Sequence, residues 1–264
     1  MTLGYTSKGS GQRSVLCVTG LGGHADFWSE LGDSLADEFR VISFDQRGCG
    51  ANIAVEGRHT LDEIAADALA ILDDAGIDRT IVIGHSMGGV ITQGLLIDHP
   101  ERFEAGVLSG TFCVFDWYMM AVGDLRQQLL DGGGARGWGQ LSALLAMPAG
   151  DVADPAYDLR GRLERITPRM PDAVMMKRMQ APYGFDRRDA LRQLALPVMV
   201  IGASDDLLAP IYQSRMIADL VPDAQLEIVD GGHFFPKTRP DLYREKIGGF
   251  VRSLGPLAVS AERK

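Results

Sequence analysis

Short, continuous apolar runs alternate along the chain with longer segments in which apolar residues recur every three or four positions. The runs are Val15–Val18, Val41–Phe44, Ile81–Ile83, Ala105–Leu108, Val198–Ile201 and Leu226–Val229. Runs of this kind, not alternating with polar residues, predict strands buried on both faces, as in a parallel sheet. The segments of helical period are Trp28–Glu38, Leu61–Ala75, Val90–Asp98, Gln213–Leu220 and Leu242–Ser253. Pro100, Pro197, Pro222 and Pro240 fall at the junctions, where a proline ends or opens an element without breaking its ladder. Strand followed by helix, repeated, predicts an α/β fold: a mostly parallel central sheet with helices on both faces.

Between residues 111 and 195 this rhythm is lost. The stretch holds the glycine-rich Asp131–Gly134, several prolines and broken helical patterns, and so predicts an inserted helical cap over a core made of residues 1–110 and 196–264. Seven of the eleven methionines lie in it: Met119, Met120, Met147, Met170, Met175, Met176 and Met179. Methionine fills irregular apolar space, which fits either an ordinary cap core or an apolar wall facing a substrate. Internal repeats are absent.

Composition narrows the function classes. A chain of 264 residues with 46% hydrophobic and 23% charged residues is an ordinary globular domain, not a disordered or coiled-coil chain. A net charge of −9 supplies no basic footprint for phosphates, so nucleic acid is not an expected partner. No apolar run approaches the roughly 18 residues of a membrane span, so no membrane partner is expected. Cys17, Cys49 and Cys113 are unpaired in number and spacing, and Met1–Lys8 hold no apolar run. A reducing, cytoplasmic location is the expectation, with neither metal nor cofactor.

The segment with chemistry in it is Ile81-Val82-Ile83-Gly84-His85-Ser86-Met87-Gly88-Gly89-Val90, a G-x-S-x-G that follows a buried strand and opens a helix. Such a turn holds a serine in strained backbone geometry with its hydroxyl above the strand ends, a nucleophile elbow. The helix behind it offers N–H groups and a positive dipole end where negative charge develops.

A serine hydroxyl needs a base. Of the five histidines, His85 lies inside the turn and points another way, His99 closes a helix before Pro100, His59 precedes a helix, and His24 sits in a glycine-rich loop. His233, in Asp230-Gly231-Gly232-His233-Phe234 directly after the last strand, is the candidate base. An acid beyond the penultimate strand must orient it. Asp205, three residues after Gly202, is favoured; Asp206, four before Pro210, is the alternative. The order Ser, Asp, His belongs to this fold and not to chymotrypsin or subtilisin types. For the oxyanion, the expected donors are the N–H groups of Met87 and of Leu21, in Thr19-Gly20-Leu21-Gly22-Gly23. That loop lacks the G-x-G-x-x-G spacing of a dinucleotide site.

With Phe44-Asp45-Gln46-Arg47-Gly48-Cys49-Gly50, these segments resemble the α/β-hydrolase superfamily across nearly the whole chain. Within it, Thr19–Gly23, Asp45–Gly48, Asp131–Gly133 and Ala203–Leu208 are most similar to the aminoacrylate hydrolases of pyrimidine utilisation, and to the 3-oxoadipate enol-lactonases. Thr19 stands where many relatives have histidine, and Cys49 and Ala51-Asn52 replace the commoner His and Arg-Ser. Cys49 has no base assigned to it and is not the expected nucleophile. The resemblance implies acyl transfer through a covalent intermediate on Ser86 for a small ester or lactone, and for an enamine-derived carboxylic acid hydrolytic loss of ammonia at the same site instead. Two other classes stay open: a cofactor-free perhydrolase or haloperoxidase-like enzyme, and a non-enzymatic ligand-binding or signalling protein.

Charge bears on the substrate. Residues 160–192 carry nine basic side chains (Arg160, Arg162, Arg165, Arg169, Lys177, Arg178, Arg187, Arg188, Arg192) against four acidic ones. Either these form a solvated helical face, or one or two of the arginines steer a small carboxylate into the cap. The whole stretch 111–195 has eleven basic and ten acidic residues, leaving 15 against 25 elsewhere, a near-neutral cap above an acidic body.

Overall fold

The computed structural model describes residues 3–164 and 169–255. Seven strands form one sheet: β1 (Tyr5–Lys8), β2 (Arg13–Val18), β3 (Phe39–Phe44), β4 (Thr80–His85), β5 (Phe103–Ser109), β6 (Val198–Ala203) and β7 (Gln225–Val229). Their order across the sheet is β1-β3-β2-β4-β5-β6-β7, with every pairing parallel except the antiparallel edge pair β1 and β3. The six predicted strands are all present. β1 is the one that the apolar pattern misses, because Tyr5-Thr6-Ser7-Lys8 is an edge strand with two exposed residues at its centre. Polar residues on an edge strand discourage further pairing, and here they leave β1 without an apolar signature.

Eleven helices lie among the described residues: α1 (Ser29–Leu35), α2 (Leu61–Asp74), α3 (Met87–Asp98), α4 (Trp117–Ala146), α5 (Ala149–Ala153), α6 (Leu159–Glu164), α7 (Asp172–Gln180), α8 (Arg188–Leu191), α9 (Ile211–Leu220), α10 (Phe235–Thr238) and α11 (Pro240–Ser253). Alternate residues of the buried strands feed two cores. Leu16, Val18, Ile42, Val82 and Val200 pack on one face with Ile64, Ala68 and Ile71 of α2, Ile91 and Leu95 of α3, and Ile217 of α9. Val15, Cys17, Val41, Ile83, Val107 and Ile201 pack on the other with Leu31 and Leu35 of α1 and Ile247 and Val251 of α11. Strand period two thus gives each face its own apolar set. α2 begins where its sequence says it should: Thr60 Oγ1 accepts from Glu63 N–H while Glu63 accepts from Thr60 N–H, a reciprocal cap on the first turn.

α4 to α8 occupy the insertion between β5 and β6 and form the expected helical cap. α4 is the longest helix, and it breaks at Gly134, whose φ of 62° and ψ of −169° no helix contains. The glycine-rich stretch therefore serves to fold α4 back on itself. Arg126 of its first half donates through Nε to Ser142 Oγ of its second, at 3.1 Å. None of these helices is long and apolar enough to cross a membrane, among the described residues.

Candidate active site

Ser86 stands between β4, at the centre of the sheet, and α3. Its φ is 57° and its ψ −124°, a backbone conformation that an L-residue adopts only under constraint. Two contacts supply that constraint: Ser86 N–H donates to Ser109 O at 2.8 Å, and Thr111 Oγ1 donates to Ser86 O at 2.7 Å. The flanking glycines are required by close approach. A Cβ at Gly84 would meet Thr92 Oγ1 at 2.2 Å and Gly88 O at 2.3 Å, and one at Gly88 would meet Val18 O at 2.1 Å.

His233 follows β7, which β5 and β6 separate from β4 in the sheet, and the structure brings its ring to Ser86. Gly231 and Gly232 have φ of 114° and 66°, and their turn carries the imidazole over the sheet edge. His233 Nε2 lies 2.9 Å from Ser86 Oγ, and His233 Nδ1 lies 2.8 Å from Asp206 Oδ2. The tautomer follows from the partners: a carboxylate only accepts, so Nδ1 carries the proton and Nε2 is free to accept from the serine hydroxyl.

This corrects the preference for Asp205. Asp206 is the residue whose carboxylate meets the imidazole; its side chain is fully buried, and Oδ1 accepts from Leu208 N–H and Ala209 N–H, both at 2.8 Å. Asp205 is exposed and turned aside, accepting at Oδ1 from Gly231 N–H at 3.1 Å and Gly232 N–H at 2.9 Å. The physical reason is the turn after β6. Asp206 N–H donates to Ala203 O, so the chain turns one residue later than a count from Gly202 assumes, and the second aspartate faces inward. Both carboxylates serve His233, one through its ring and one through its loop.

The other histidines are where elimination places them, with one refinement. His85 is buried, stacks on Phe27 and meets the rings of His233 and Phe235 tilted and edge-on, at centroid distances of 5.1, 5.0 and 5.6 Å. Burial, and the positive charge His233 would bring, hold His85 well below the usual imidazole pKa, so it packs as a neutral ring. His24 and His59 are also buried, and desolvation lowers both. His99 is half-buried at the end of α3. Cys49 is buried, and burial raises its thiol pKa, as it raises that of Cys113 to about 12; neither is an activated nucleophile.

Leu21 and Met87 both line a cavity of about 590 Å³ into which Ser86 and His233 open. The loop holding Leu21 is braced from below and above. Gln46 Nε2 donates to Thr19 O at 2.6 Å, and Asp45 accepts from Ala25 N–H and Ala51 N–H, both at 2.8 Å. From the cap, the buried Arg178 donates through Nε to Leu21 O at 2.9 Å and through Nη2 to Gly20 O at 3.1 Å and to Gln46 Oε1. The Asp45-Gln46-Arg47 run is thus a set of braces, with Arg47 held by Asp67 at 2.7 Å through both Nε and Nη2.

Four of the seven cap methionines, Met119, Met170, Met175 and Met179, face the cavity together with Phe112, Phe115 and Leu130. The basic stretch divides. Arg160, Arg187, Arg188 and Arg192 pair with acidic neighbours at the surface, Arg162 lies on Tyr157, and Lys177 donates to Gly57 O. Arg165 lies outside the described residues. Among the described residues of the stretch, Arg169, paired with Asp26, and Arg178 reach the cavity. Arg126 does so as well, from a segment whose charge balance drew no attention to it.

The family model of the alpha/beta hydrolase fold matches residues 13–240. The chain belongs to this family. Proteins named as the carbamate hydrolase RutD are similar over nearly the whole length. The one from Variovorax paradoxus is 30% identical over 99% of this chain and all of its own, and the one from Azorhizobium caulinodans is 29% identical over 93% of each. Among solved structures, a protein named as the non-heme bromoperoxidase BpoC from Mycobacterium tuberculosis superposes with a TM-score of 0.84 at 27% identity, covering 97% of both chains. The enol-lactonase of Burkholderia xenovorans shares the fold, with a TM-score of 0.83 at 22% identity over 94% of this chain and 96% of its own. In this α/β hydrolase the Ser86, His233 and Asp206 arrangement is that of a serine hydrolase.

Proposed function

We propose that the protein hydrolyses a small ester or lactone through an acyl-enzyme on Ser86, or, at the same site and without an acyl-enzyme, an enamine-derived carboxylic acid whose imine carbon takes up water and expels ammonia. The observation that carries this reading is the continuous Ser86–His233–Asp206 hydrogen-bond chain at the floor of a largely apolar cavity. Ser86 Oγ attacks the substrate carbonyl carbon while His233 Nε2 takes its proton. The carbonyl electron pair moves onto oxygen, where the N–H groups of Leu21 and Met87 receive it. Collapse of that intermediate expels the leaving group, which takes the proton back from Nε2. Water then enters by the same steps and frees the acid. Asp206 stays ionised throughout, holding the imidazole and stabilising its cation. The names of the RutD relatives add a carbamate carbonyl to the substrates worth testing.

A second reading is favoured by the likeness to the bromoperoxidase: hydrogen peroxide in place of water as acyl acceptor, giving a peracid from the same acyl-enzyme. Fluorophosphonate labelling with peptide mapping, beside a short-acyl nitrophenyl ester assay run with and without peroxide, tests both. Modification at Ser86 and ester turnover are expected; a folded protein unlabelled at Ser86 refutes the hydrolase, and peracid formation at the expense of acid supports the second reading.

A further inference from the structure

Five methionines line the cavity that holds Ser86: Met87, Met119, Met170, Met175 and Met179. Hydrolysis uses their apolar surface and gives their sulfur atoms no role. Two of them lie close to the nucleophile. Gly20 abuts Ser86, since a Cβ on it would meet Ser86 Cβ at 3.0 Å and Oγ at 3.5 Å. Arg178 of α7 donates through Nη2 to Gly20 O at 3.1 Å. Met175 and Met179 flank Arg178 on that helix, three residues before it and one after, and neighbours at i,i+3 and i,i+4 stand about 5–6 Å apart. Both thioethers therefore line the cavity within about one helical turn of the contact between Gly20 and Ser86. Met119, by contrast, rests its sulfur against Gln213 Nε2 at 3.9 Å. Beside the α7 pair is an unused donor: Arg178 is fully buried, and among the described residues no acceptor lies within reach of its Nη1. A buried donor without a partner is costly, and an oxygen atom placed on a neighbouring sulfur is the acceptor it lacks.

We infer that Met175 and Met179 are oxygen acceptors for a peracid made at Ser86, so that hydrogen peroxide turns the enzyme into an oxidant of its own cavity. This rests on the acyl-enzyme reading and on peroxide as acyl acceptor. In the first step His233 Nε2 takes a proton from hydrogen peroxide, and the peroxide oxygen bonds to the acyl carbon. The bond from that carbon to Ser86 Oγ breaks, and Oγ takes the proton back from Nε2, leaving a peracid. In the second step a lone pair of the methionine sulfur attacks the outer peroxide oxygen. The O–O bond breaks, the peracid proton passes to the departing carboxylate, and a sulfoxide and a carboxylic acid remain. Sulfur is oxidised by two electrons, and the O–O group is reduced by two. This step needs no base, so proximity governs it: one peracid molecule in about 590 Å³ is at an effective concentration of roughly 3 M. The product changes the wall. A sulfoxide is polar where the thioether was apolar, and its oxygen accepts from Arg178 Nη1, in competition with the arginine's hold on the Gly20 and Leu21 carbonyls. Ester turnover in peroxide is thus self-limiting.

Tandem mass spectrometry of the full chain tests this after exposure to hydrogen peroxide, with and without a short-acyl phenyl ester. Met120, Met147 and Met176 are the internal controls, being less buried than Met179 and outside the cavity lining. Peroxide alone arrives from solvent and should oxidise these three first. Peroxide with ester should raise sulfoxide at Met175 and Met179 about tenfold or more and leave the controls within about twofold, even with free methionine present as a scavenger. The increment should vanish in Ser86→Ala. The inference is overturned by no ester-dependent rise at Met175 and Met179, by an equal rise at the controls, or by a rise that free methionine removes. In a second measurement, ester activity is followed during the same exposure and divided by each enzyme's own starting value, so a lower basal rate cancels. The double variant Met175→Leu, Met179→Leu keeps nearly the same side-chain volume and cannot take up oxygen. It should hold its activity about fivefold longer than the wild type, and equal half-lives overturn the self-limitation. A Ser86 that takes no fluorophosphonate fails the hydrolase reading and this inference together; a labelled Ser86 beside unmodified Met175 and Met179 overturns the inference alone.

Discussion

Replacing each of the two neighbouring aspartates by asparagine separates their roles sharply. In Asp206→Asn the fully buried carboxylate that accepts from His233 Nδ1 becomes an amide whose oxygen is already claimed by Leu208 and Ala209 N–H groups. The amide NH₂ is left facing the imidazole. Two donors cannot share that 2.8 Å contact, so the ring moves its proton to Nε2 and accepts at Nδ1. Nε2–H then points at Ser86 Oγ and cannot take the serine proton. The imidazolium formed in the transition state also loses its anion. A wrong tautomer of this kind costs about 10⁴-fold in kcat, or about 5.4 kcal/mol at 1.36 kcal/mol per factor of ten. Asp205→Asn keeps an oxygen for Gly231 and Gly232 N–H and loses only the charge on an exposed acceptor, about 1 kcal/mol of stability at most and less than tenfold in rate. The assay is kcat/KM on a short-acyl nitrophenyl ester, with thermal melts to confirm folding. Asp206→Asn keeping more than about a tenth of the activity, or Asp205→Asn losing several orders of magnitude while folded, would refute the reasoning.

Three further outcomes follow from the geometry. Ser86→Gly removes the nucleophile and relieves the backbone at φ 57°; labelling should vanish while the melting temperature rises by about 2–4 °C for each kcal/mol released, and a lower melting temperature would contradict stored strain at residue 86. Arg178→Met takes away the donors that hold the Gly20 and Leu21 carbonyls, so the Leu21 N–H drifts and kcat should fall about 10- to 100-fold with a smaller change in KM; a change in KM alone would count against the brace. His85 has a folded pKa below its unfolded value, so the unfolded chain binds the extra proton and stability is lost as pH falls below about 6.5, by up to about 1.4 kcal/mol per pH unit. His85→Phe keeps the aromatic packing, and its chemical-denaturation stability should therefore vary less between pH 7 and pH 5.5 than that of the wild type; an identical slope would assign the effect elsewhere.

The parts of the fold that were legible from the residues are those in which burial alone decides the pattern. Five strands flanked on both sides announced themselves as apolar runs, and the edge strand β7 did so through Leu226, Ile228 and Val229 although Ile228 is exposed, whereas β1 did not, because its centre, Thr6-Ser7, is polar and exposed. Ser86 was legible because the elbow demands small neighbours: Gly84 and Gly88 leave no room for a Cβ. His233 was legible through its glycines. The choice between Asp205 and Asp206 was not, since it turns on one backbone bond, Asp206 N–H to Ala203 O, that decides which of two identical side chains faces inward.

The cap shows where composition misleads. A charge count over residues 160–192 weighs an arginine neutralised at the surface the same as one that lines a cavity. Five of its nine basic side chains, Arg160, Arg169, Arg187, Arg188 and Arg192, are spent on surface pairs, for which the median value is about 0–1 kcal/mol. Arg178 is buried but donates to backbone carbonyls, so it steadies the loop beneath it. Arg126 lies in a stretch of ordinary composition and becomes exceptional only because the break at Gly134 folds Trp138 and Ser142 back against it. The signal that would have found it is a pair of features twelve residues apart: an arginine on the inner face of a helix, and a tryptophan just beyond a glycine break in that same helix. This part of the cavity wall is therefore placed by a kink, and moving the break at Gly134 should reshape the wall while leaving the Ser86, His233 and Asp206 geometry, anchored in the sheet, where it is.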